Sequence, residues 1–265
     1  RVHLYLIEGI PKDNSPPNSP PKKKERKLIW KPTIKQTLKK SIMATLNLSG
    51  CSVMITGAGS GIGKATALRF ASAGSKVFLI GRTSSKLEEV IKEINEAFPN
   101  VETGYAAVDV CDKSAIEDAV NAAVSKFGGL NIVVANAGVG AMLDSDFSEW
   151  ESAIETNMTS VMYLSKLVIP HLEKSVSLVG HASLIVTSSV VGTLRLGPFA
   201  PYSATKAGVS AFTLSLFEAL KNKGIKVCAV NPGFTDTAMA VAVMGDYPKK
   251  ISIPTSSIAH TIFFA

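Results

Sequence analysis

The sequence is poor in the residues that mark out special classes of protein. It has 3 cysteines in 265 residues. Cys51, Cys111 and Cys228 are scattered, odd in number and at no metal-ligand spacing. That excludes a disulfide framework and a zinc module, and it fits buried thiols in a reducing compartment. Charged residues are scarce at 18% while hydrophobic ones reach 46%, the reverse of a disordered composition. No stretch approaches the roughly 18–20 consecutive apolar residues of a membrane-spanning helix. Leu4–Ile10 is interrupted by Glu8 and followed by Pro11, so it lacks the apolar core of a secretory signal. The 4 histidines, His3, His171, His181 and His260, match no metal spacing and no catalytic motif. The expectation is a cytoplasmic protein with a soluble body and no transmembrane segment.

What the chain has in excess is positive charge, +7 overall. That excess is local. Residues 1–42 hold 11 basic and 3 acidic residues, whereas 43–265 hold 17 and 18. The stretch PKDNSPPNSPPKKKERK (11–27) is rich in Pro, Lys and Ser without apolar periodicity and is expected to be disordered. The run Lys22–Lys27 has the character of a nuclear-import or polyanion-binding patch. The plainer reading is a solvated tail, or sequence upstream of the natural start, because Met43-Ala44-Thr45 makes an ordinary beginning just before the globular pattern. The organisation is therefore a basic arm, 1–42, followed by one body, 43–265, large enough for a single core. Nothing in that near-neutral body calls for nucleic acid.

From Leu46 onward, short apolar runs alternate with longer amphipathic ones. Strands are expected at Ser52–Ile55, Lys76–Ile80, Thr103–Val108, Asn131–Ala135, Leu184–Thr187 and Lys226–Val230. Helices are expected at Ile62–Ala73, from a Thr83 or Ser84 cap through Leu87, Val90, Ile91, Ile94 and Phe98, and through Ile116, Val120, Val124 and Phe127. Two more follow at about Phe147–Leu172 and Ala204–Leu220. Nearly continuous apolar strands alternating with helices imply an α/β fold, a doubly wound parallel sheet covered on both faces in three layers. Ligands in such a fold sit at the carboxyl ends of the strands.

The first strand runs into Thr56-Gly57-Ala58-Gly59-Ser60-Gly61-Ile62-Gly63. Glycines there let the backbone approach a pyrophosphate, and the following helix offers unpaired N–H groups to the anion. The spacing TGxxxGxG resembles that of the short-chain dehydrogenase/reductase family, a branch of the Rossmann fold. Further matches follow in family order: Asp109-Val110, Asn136-Ala137-Gly138, Asn157, Ser189, Tyr202-Ser203-Ala204-Thr205-Lys206, and Pro232-Gly233 with Thr235 and Thr237. The resemblance covers about residues 46–265.

An NAD site of this fold places an acid about 20 residues past the glycines. Here Gly81-Arg82 stand at that place and no acid follows until Glu88. Arg82 can make a charge-assisted, bidentate pair with a 2′-phosphate, so NADP(H) is expected over NAD(H), with Thr83 and Lys64 as possible helpers. The resemblance implies that Asp109 and Val110 border the adenine and that Asn136, Ala137 and Gly138 lie beside the ribose. It also implies that Pro232, Gly233, Thr235 and Thr237 hold the nicotinamide carboxamide.

Tyr202 and Lys206 are spaced i, i+4 and so share a helix face. A nearby ammonium stabilises a phenolate, whose ordinary pKa near 10 is too high for easy proton transfer. Ser189 precedes Tyr202 by 13 residues at the end of a strand, so the two can meet over one pocket, with Ser188 as the neighbouring rival. The implied reaction passes hydride between nicotinamide and a carbonyl or secondary alcohol. Tyr202 handles the proton and Ser189 steadies the oxyanion, while the resemblance implies that Asn157 holds a relay water behind Lys206.

Substrate contacts are expected from Val139–Met142, Gly192–Phe199 and Ala238–Met244, of which the last reads AMAVAVM. That composition favours a hydrophobic, lipid- or steroid-like alcohol or ketone over a small sugar. The stretch Gly192–Lys206, with Thr235–Thr237, resembles reductases of long-chain keto sphingoid bases. A non-catalytic NADP(H)-binding sensor or scaffold is the alternative; a pure binder has no need for Asn157, Ser189, Tyr202 and Lys206 together. The family resemblance implies a homodimer or homotetramer through the helices at 147–172 and 204–220. It also implies one more strand after Thr255–Ala265, so the sequence reads as truncated at its C-terminus, with an apolar edge and helix face left open.

Overall fold

A computed structural model of the chain describes residues 48–244 and 252–265. The basic arm and the stretch 245–251 lie outside the described residues. Six strands form one sheet: β1 Ser52–Thr56, β2 Lys76–Gly81, β3 Thr103–Ala107, β4 Ile132–Ala135, β5 Ala182–Thr187 and β6 Ile225–Val230. Their order is β3-β2-β1-β4-β5-β6 and every pairing is parallel. The register puts Val53 beside Val77 on one side and Ile132 on the other. Chain order reverses between β1 and β4, which opens a crevice at their carboxyl ends.

Helices fill the connections: α1 Gly61–Ala71, α2 Ser84–Ala97, α3 Lys113–Phe127, α4 Phe147–Ile154, α5 Ser160–Val179, the short α6 Val191–Leu194, α7 Ala200–Leu220, α8 Ala238–Met244 and α9 Thr255–Phe264. The local chemistry of the ends is ordinary. Asp112 caps α3 by accepting from Ala115 N at 3.0 Å, and Gly128 closes it in the left-handed conformation.

Alternation along the strands sends side chains to two cores. Met54, Phe78, Ile80, Val133 and Leu184 face α3, α5 and α7 through Ile116, Val120, Leu164, Val168 and Val209. Val53, Ile55, Val77, Leu79 and Val134 face α1, α2 and α9 through Phe70, Leu87, Ile94, Ile258 and Ile262. The doubly wound, three-layer α/β architecture expected from periodicity is the one observed.

Four expectations change in detail. The long helix predicted over 147–172 is two α-helices joined by a π turn, Glu155–Thr159, and it runs on to Val179. Such one-turn expansions recur at functional sites. The helix predicted from Ala204 begins at Ala200, which places Tyr202 inside its first turn. Thr83 occupies the N-cap of α2 without a side-chain cap, while Ser84 Oγ donates to Glu88 at 2.9 Å. Finally, the apolar face of α9 is covered. Phe263 packs on Phe70 with ring centroids 5.2 Å apart, and the Arg69 guanidinium lies 3.6 Å over the Phe263 ring.

Candidate active site

A deep cleft lies along the carboxyl ends of the strands. At its β1 side the chain turns sharply. Gly57 sits at φ +65°, a conformation costly for residues with a side chain. A Cβ on Gly63 would collide with the Gly57 carbonyl and stand 2.7 Å from Asn136 Nδ2. Gly63 is therefore what lets α1 begin hard against the turn. Asn136 ties the turn to the rest of the sheet: its amide donates to Thr56 O at 3.0 Å, and its oxygen accepts from Thr187 Oγ1 at 3.2 Å. The Thr56 hydroxyl in turn accepts from Asn136 N at 2.9 Å and Ala137 N at 3.0 Å. Three strand ends are thus fixed to one another before any ligand arrives.

Of the predicted cofactor residues, Gly57, Gly59, Ser60, Gly61, Ile62, Arg82, Asp109 and Val110 line this cleft, as do Asn136, Ala137, Gly138, Pro232, Gly233, Thr235 and Thr237. Thr56 and Gly63 stand behind the wall and shape it. Asp109 spends one carboxylate oxygen on Cys111 N at 2.9 Å. The Thr237 hydroxyl accepts from Ala240 N at 3.2 Å and so caps α8, while its methyl approaches Gly61 across the cleft.

Arg82 is exposed at the mouth, and no acidic partner is bound to it among the described residues. Lys64, expected to help it, does not line the cleft; it pairs with Glu93 at 2.6 Å. Lys86 takes that place. It lies four residues after Arg82 in the first turn of α2 and lines the same end of the cleft. The signal was present as the i, i+4 spacing of two cations flanking a helix start.

At the other end the catalytic candidates converge. Tyr202, Ser189 and Lys206 all line the cleft, with the Ser189 hydroxyl beside the Tyr202 phenol. Burial pushes the Tyr202 phenol above its ordinary value, and the Ser189 hydroxyl works against that. The depression expected from a neighbouring ammonium is not the balance found: Lys206 Nζ lies 5.7 Å from the Tyr202 ring centroid. Lys206 is itself buried, donates to Thr187 O at 2.9 Å, and is pulled down by burial to about 8. Ser188, the rival of Ser189, is turned away. Its hydroxyl donates to Lys206 O at 2.9 Å and meets Ser210 Oγ at 2.7 Å.

Asn157 is buried in the π turn, off the cleft wall. Its amide accepts from Val139 N at 2.8 Å and donates to Val139 O at 2.9 Å and Thr205 Oγ1 at 3.1 Å. On the substrate side the wall is apolar: Val139, Val190, Phe199, Phe234 and Met239. Lys86, Val108, Thr156, Thr187, Val190 and Val191 are wall residues that sequence reasoning did not assign to the site.

A doubly wound parallel sheet with a glycine-walled crevice leading to a Ser–Tyr–Lys cluster defines a nucleotide-binding oxidoreductase of the short-chain type. The model for the short chain dehydrogenase family matches residues 52–247, and the chain belongs to that family. It is 32% identical to an uncharacterised oxidoreductase of Staphylococcus epidermidis over 215 residues, 80% of this chain and 89% of that one. Among solved structures it is similar to 3-ketoacyl-(acyl-carrier-protein) reductase from Brucella melitensis complexed with NADH. That match has 28% identity, a TM-score of 0.74, and coverage of 82% of this chain and 91% of the other. It is also similar to a variant actinorhodin polyketide ketoreductase with NADPH, at 30% identity and TM-score 0.72, covering 81% and 89%. Among the described residues no helix is long and apolar enough to cross a membrane, and no cluster of His, Cys, Asp and Glu could hold a metal ion.

Proposed function

We propose that the chain is an NADP(H)-dependent oxidoreductase that interconverts a hydrophobic ketone and its secondary alcohol. The observation that carries this reading is the convergence of Tyr202, Ser189 and the buried Lys206 at one end of a cleft whose other end is walled by the glycine turn. Fit to the cofactor is supported by the cradle at Gly57 and Gly63, which a Cβ would fill. Gly59, Ser60, Gly61 and Ile62 would hold the pyrophosphate through backbone N–H groups and the start of α1. Arg82 and Lys86 would hold a 2′-phosphate, which NAD lacks. Asp109 and Val110 would border the adenine.

When bound, the nicotinamide would supply hydride to the carbonyl carbon, or take it from the same carbon of the alcohol. The chain does the rest. Ser189 donates to the carbonyl oxygen as negative charge develops on it, and Tyr202 hands that oxygen its proton. Lys206, when charged, would supply the positive charge that opposes the burial penalty on the phenolate. Among the wall residues, charge occurs at Arg82, Lys86 and Asp109 on the nucleotide side and at Lys206 beside Tyr202. Among the described residues the substrate side adds no further charge to these. Its apolar wall, with Phe234 and Met239 still 37% and 40% exposed at the mouth, favours a lipid- or steroid-like ketone over a sugar.

The decisive experiment is NADPH and NADH oxidation against a panel of keto-lipids, steroids, quinones and small ketones, with the wild type and Arg82→Asp. The expected result is turnover of an apolar ketone with NADPH preferred, and a shift toward NADH in R82D. Tight NADPH binding with turnover of none would favour the sensor alternative, and an unchanged preference in R82D would remove Arg82 from the 2′-phosphate site. A homodimer or homotetramer goes with this reading. Ile154, Met162, Leu214 and Phe217 are exposed on α4, α5 and α7. Sedimentation equilibrium, compared with a Leu214→Glu variant, tests it.

A further inference from the structure

We propose that Thr205 is a positioning residue: it locks the side-chain amide of Asn157, which then fixes the backbone of Val139 on the substrate wall. The proposal rests on the reading of the cleft given above. Thr205 lies between Tyr202 and Lys206 in sequence, yet it is off the cleft wall and buried to 3% exposure. Its hydroxyl donates to Tyr202 O at 2.8 Å and accepts from Asn157 Nδ2 at 3.1 Å.

Proton counting makes this arrangement directional. A threonine hydroxyl has one hydrogen, and here Tyr202 O takes it. Only lone pairs are left to face Asn157, so the amide must present Nδ2 to Thr205. That orientation turns Oδ1 toward Val139 N, at 2.8 Å, and sends the second Nδ2 hydrogen to Val139 O, at 2.9 Å. A flipped amide would set N–H against N–H at Val139. The hydroxyl of Thr205 therefore reinforces, from the opposite side, the amide orientation that clamps Val139 at both its N–H and its carbonyl. Val139 and Gly140 are wall residues, next to Gly138, where a Cβ would stand 3.1 Å from Asn157 Oδ1 and 3.5 Å from Lys206 Nζ.

The contact is close enough to transmit a shift. One turn further along α7, a Cβ on Gly208 would lie 2.7 Å from Met158 Sδ in the same π turn. The π turn and the helix bearing Tyr202 and Lys206 are thus fitted together at two successive points, Asn157 on Thr205 and Met158 on Gly208. Threonine hydroxyls inside helices often bond back to a carbonyl with no functional consequence. What separates the two cases is coupling to Val139.

The test compares Thr205→Val, which keeps the shape and removes the hydroxyl, with Thr205→Ser, Asn157→Ala and the T205V/N157A double variant. Two readouts are used: hydrogen exchange at the Val139 amide in the protein alone, and kcat and KM for the best ketone of the NADPH panel. In T205V the Val139 amide should exchange roughly tenfold faster and kcat/KM should fall by a similar factor, the cost of one buried donor left unmatched. NADPH affinity should be unchanged, T205S should restore both readouts, and the double variant should be no worse than N157A. Wild-type exchange and kinetics in T205V, or losses that multiply in the double variant, would overturn the proposal. Should T205V fail to fold, T205A carries the same comparison. If no ketone is reduced, the oxidoreductase reading fails by itself, while exchange at Val139 still decides the role of Thr205.

Discussion

Replacing Lys206 by methionine should change the pH dependence of stability in a way that reports the burial of one ammonium group. Lys206 is enclosed, its Nζ donates to Thr187 O at 2.9 Å, and burial lowers its pKa from 10.5 to about 8. The unfolded chain keeps that proton up to the higher value, and the native state releases it near the lower one. Between them the unfolded state binds more protons, so stability rises with pH. At about 1.36 kcal/mol per unit, the gap corresponds to about 3 kcal/mol, or roughly 6–12 °C in Tm for a body of this size. Wild type alone does not isolate the effect. Burial raises the pKa of Tyr202, Cys51, Cys111 and Cys228, and each of these removes stability as the pH climbs past its unfolded value. The difference between K206M and wild type cancels those contributions. Calorimetric melts of the two proteins, without cofactor, across the window from about pH 8 to pH 10 should show the wild type gaining steadily on K206M. Parallel curves would mean that water reaches the ammonium and that the reasoning from burial is wrong.

Three further outcomes follow from the geometry. Gly63→Ala would gain at most about 1 kcal/mol of helix propensity, but its Cβ meets the Gly57 carbonyl, and overpacking against fixed backbone costs about 1–3 kcal/mol. A lower Tm together with weaker NADPH binding by fluorescence titration is expected. Ser189→Ala should lower kcat by roughly 10²-fold with little change in Tm. Ser188→Ala should do the reverse, losing about 1–2 kcal/mol from its bonds to Lys206 O and Ser210 while kcat changes little. Phe263→Ala should cost about 3 kcal/mol in urea unfolding, because it empties a buried site against Phe70 and strips the Arg69 guanidinium of its ring.

The parts of this molecule that were legible in sequence are those written in local pattern. The strands are almost uninterrupted apolar runs between polar helices, and β1 is buried at all 5 positions. The glycine turn and the Tyr202–Lys206 spacing carry their geometry with them. The π turn was not legible, because ETNMT holds no Gly or Pro to interrupt the helical pattern on either side. Its widening is met by tertiary partners, Val139 for Asn157 and Gly208 for Met158. In sequence Lys64 and Lys86 are both cations in the first turn of a helix near the cleft, and only Lys64 was expected to serve it. Only packing shows that Glu93 of α2 claims the first and leaves the second at the wall. The Ser188–Ser189 choice was readable from an offset, but its physical ground, two hydroxyls on opposite sides of β5's end, was not.

The turn at Glu155–Thr159 also makes the protein intolerant of one particular kind of change. An α-helix advances about 100° per residue, and the π turn fits one residue more into its circuit than the helices on either side. Deleting a single residue there would let α4 and α5 fuse into one regular helix with better backbone geometry than the native one. Because the turn absorbs the extra residue, α4 and α5 would keep their faces, while the residues within the turn would be drawn back by about 100°, carrying Asn157 off Val139 or Met158 off Gly208. The variant would gain regular helix and lose its site, so the length of this segment is under tighter constraint than the identity of its exposed residues.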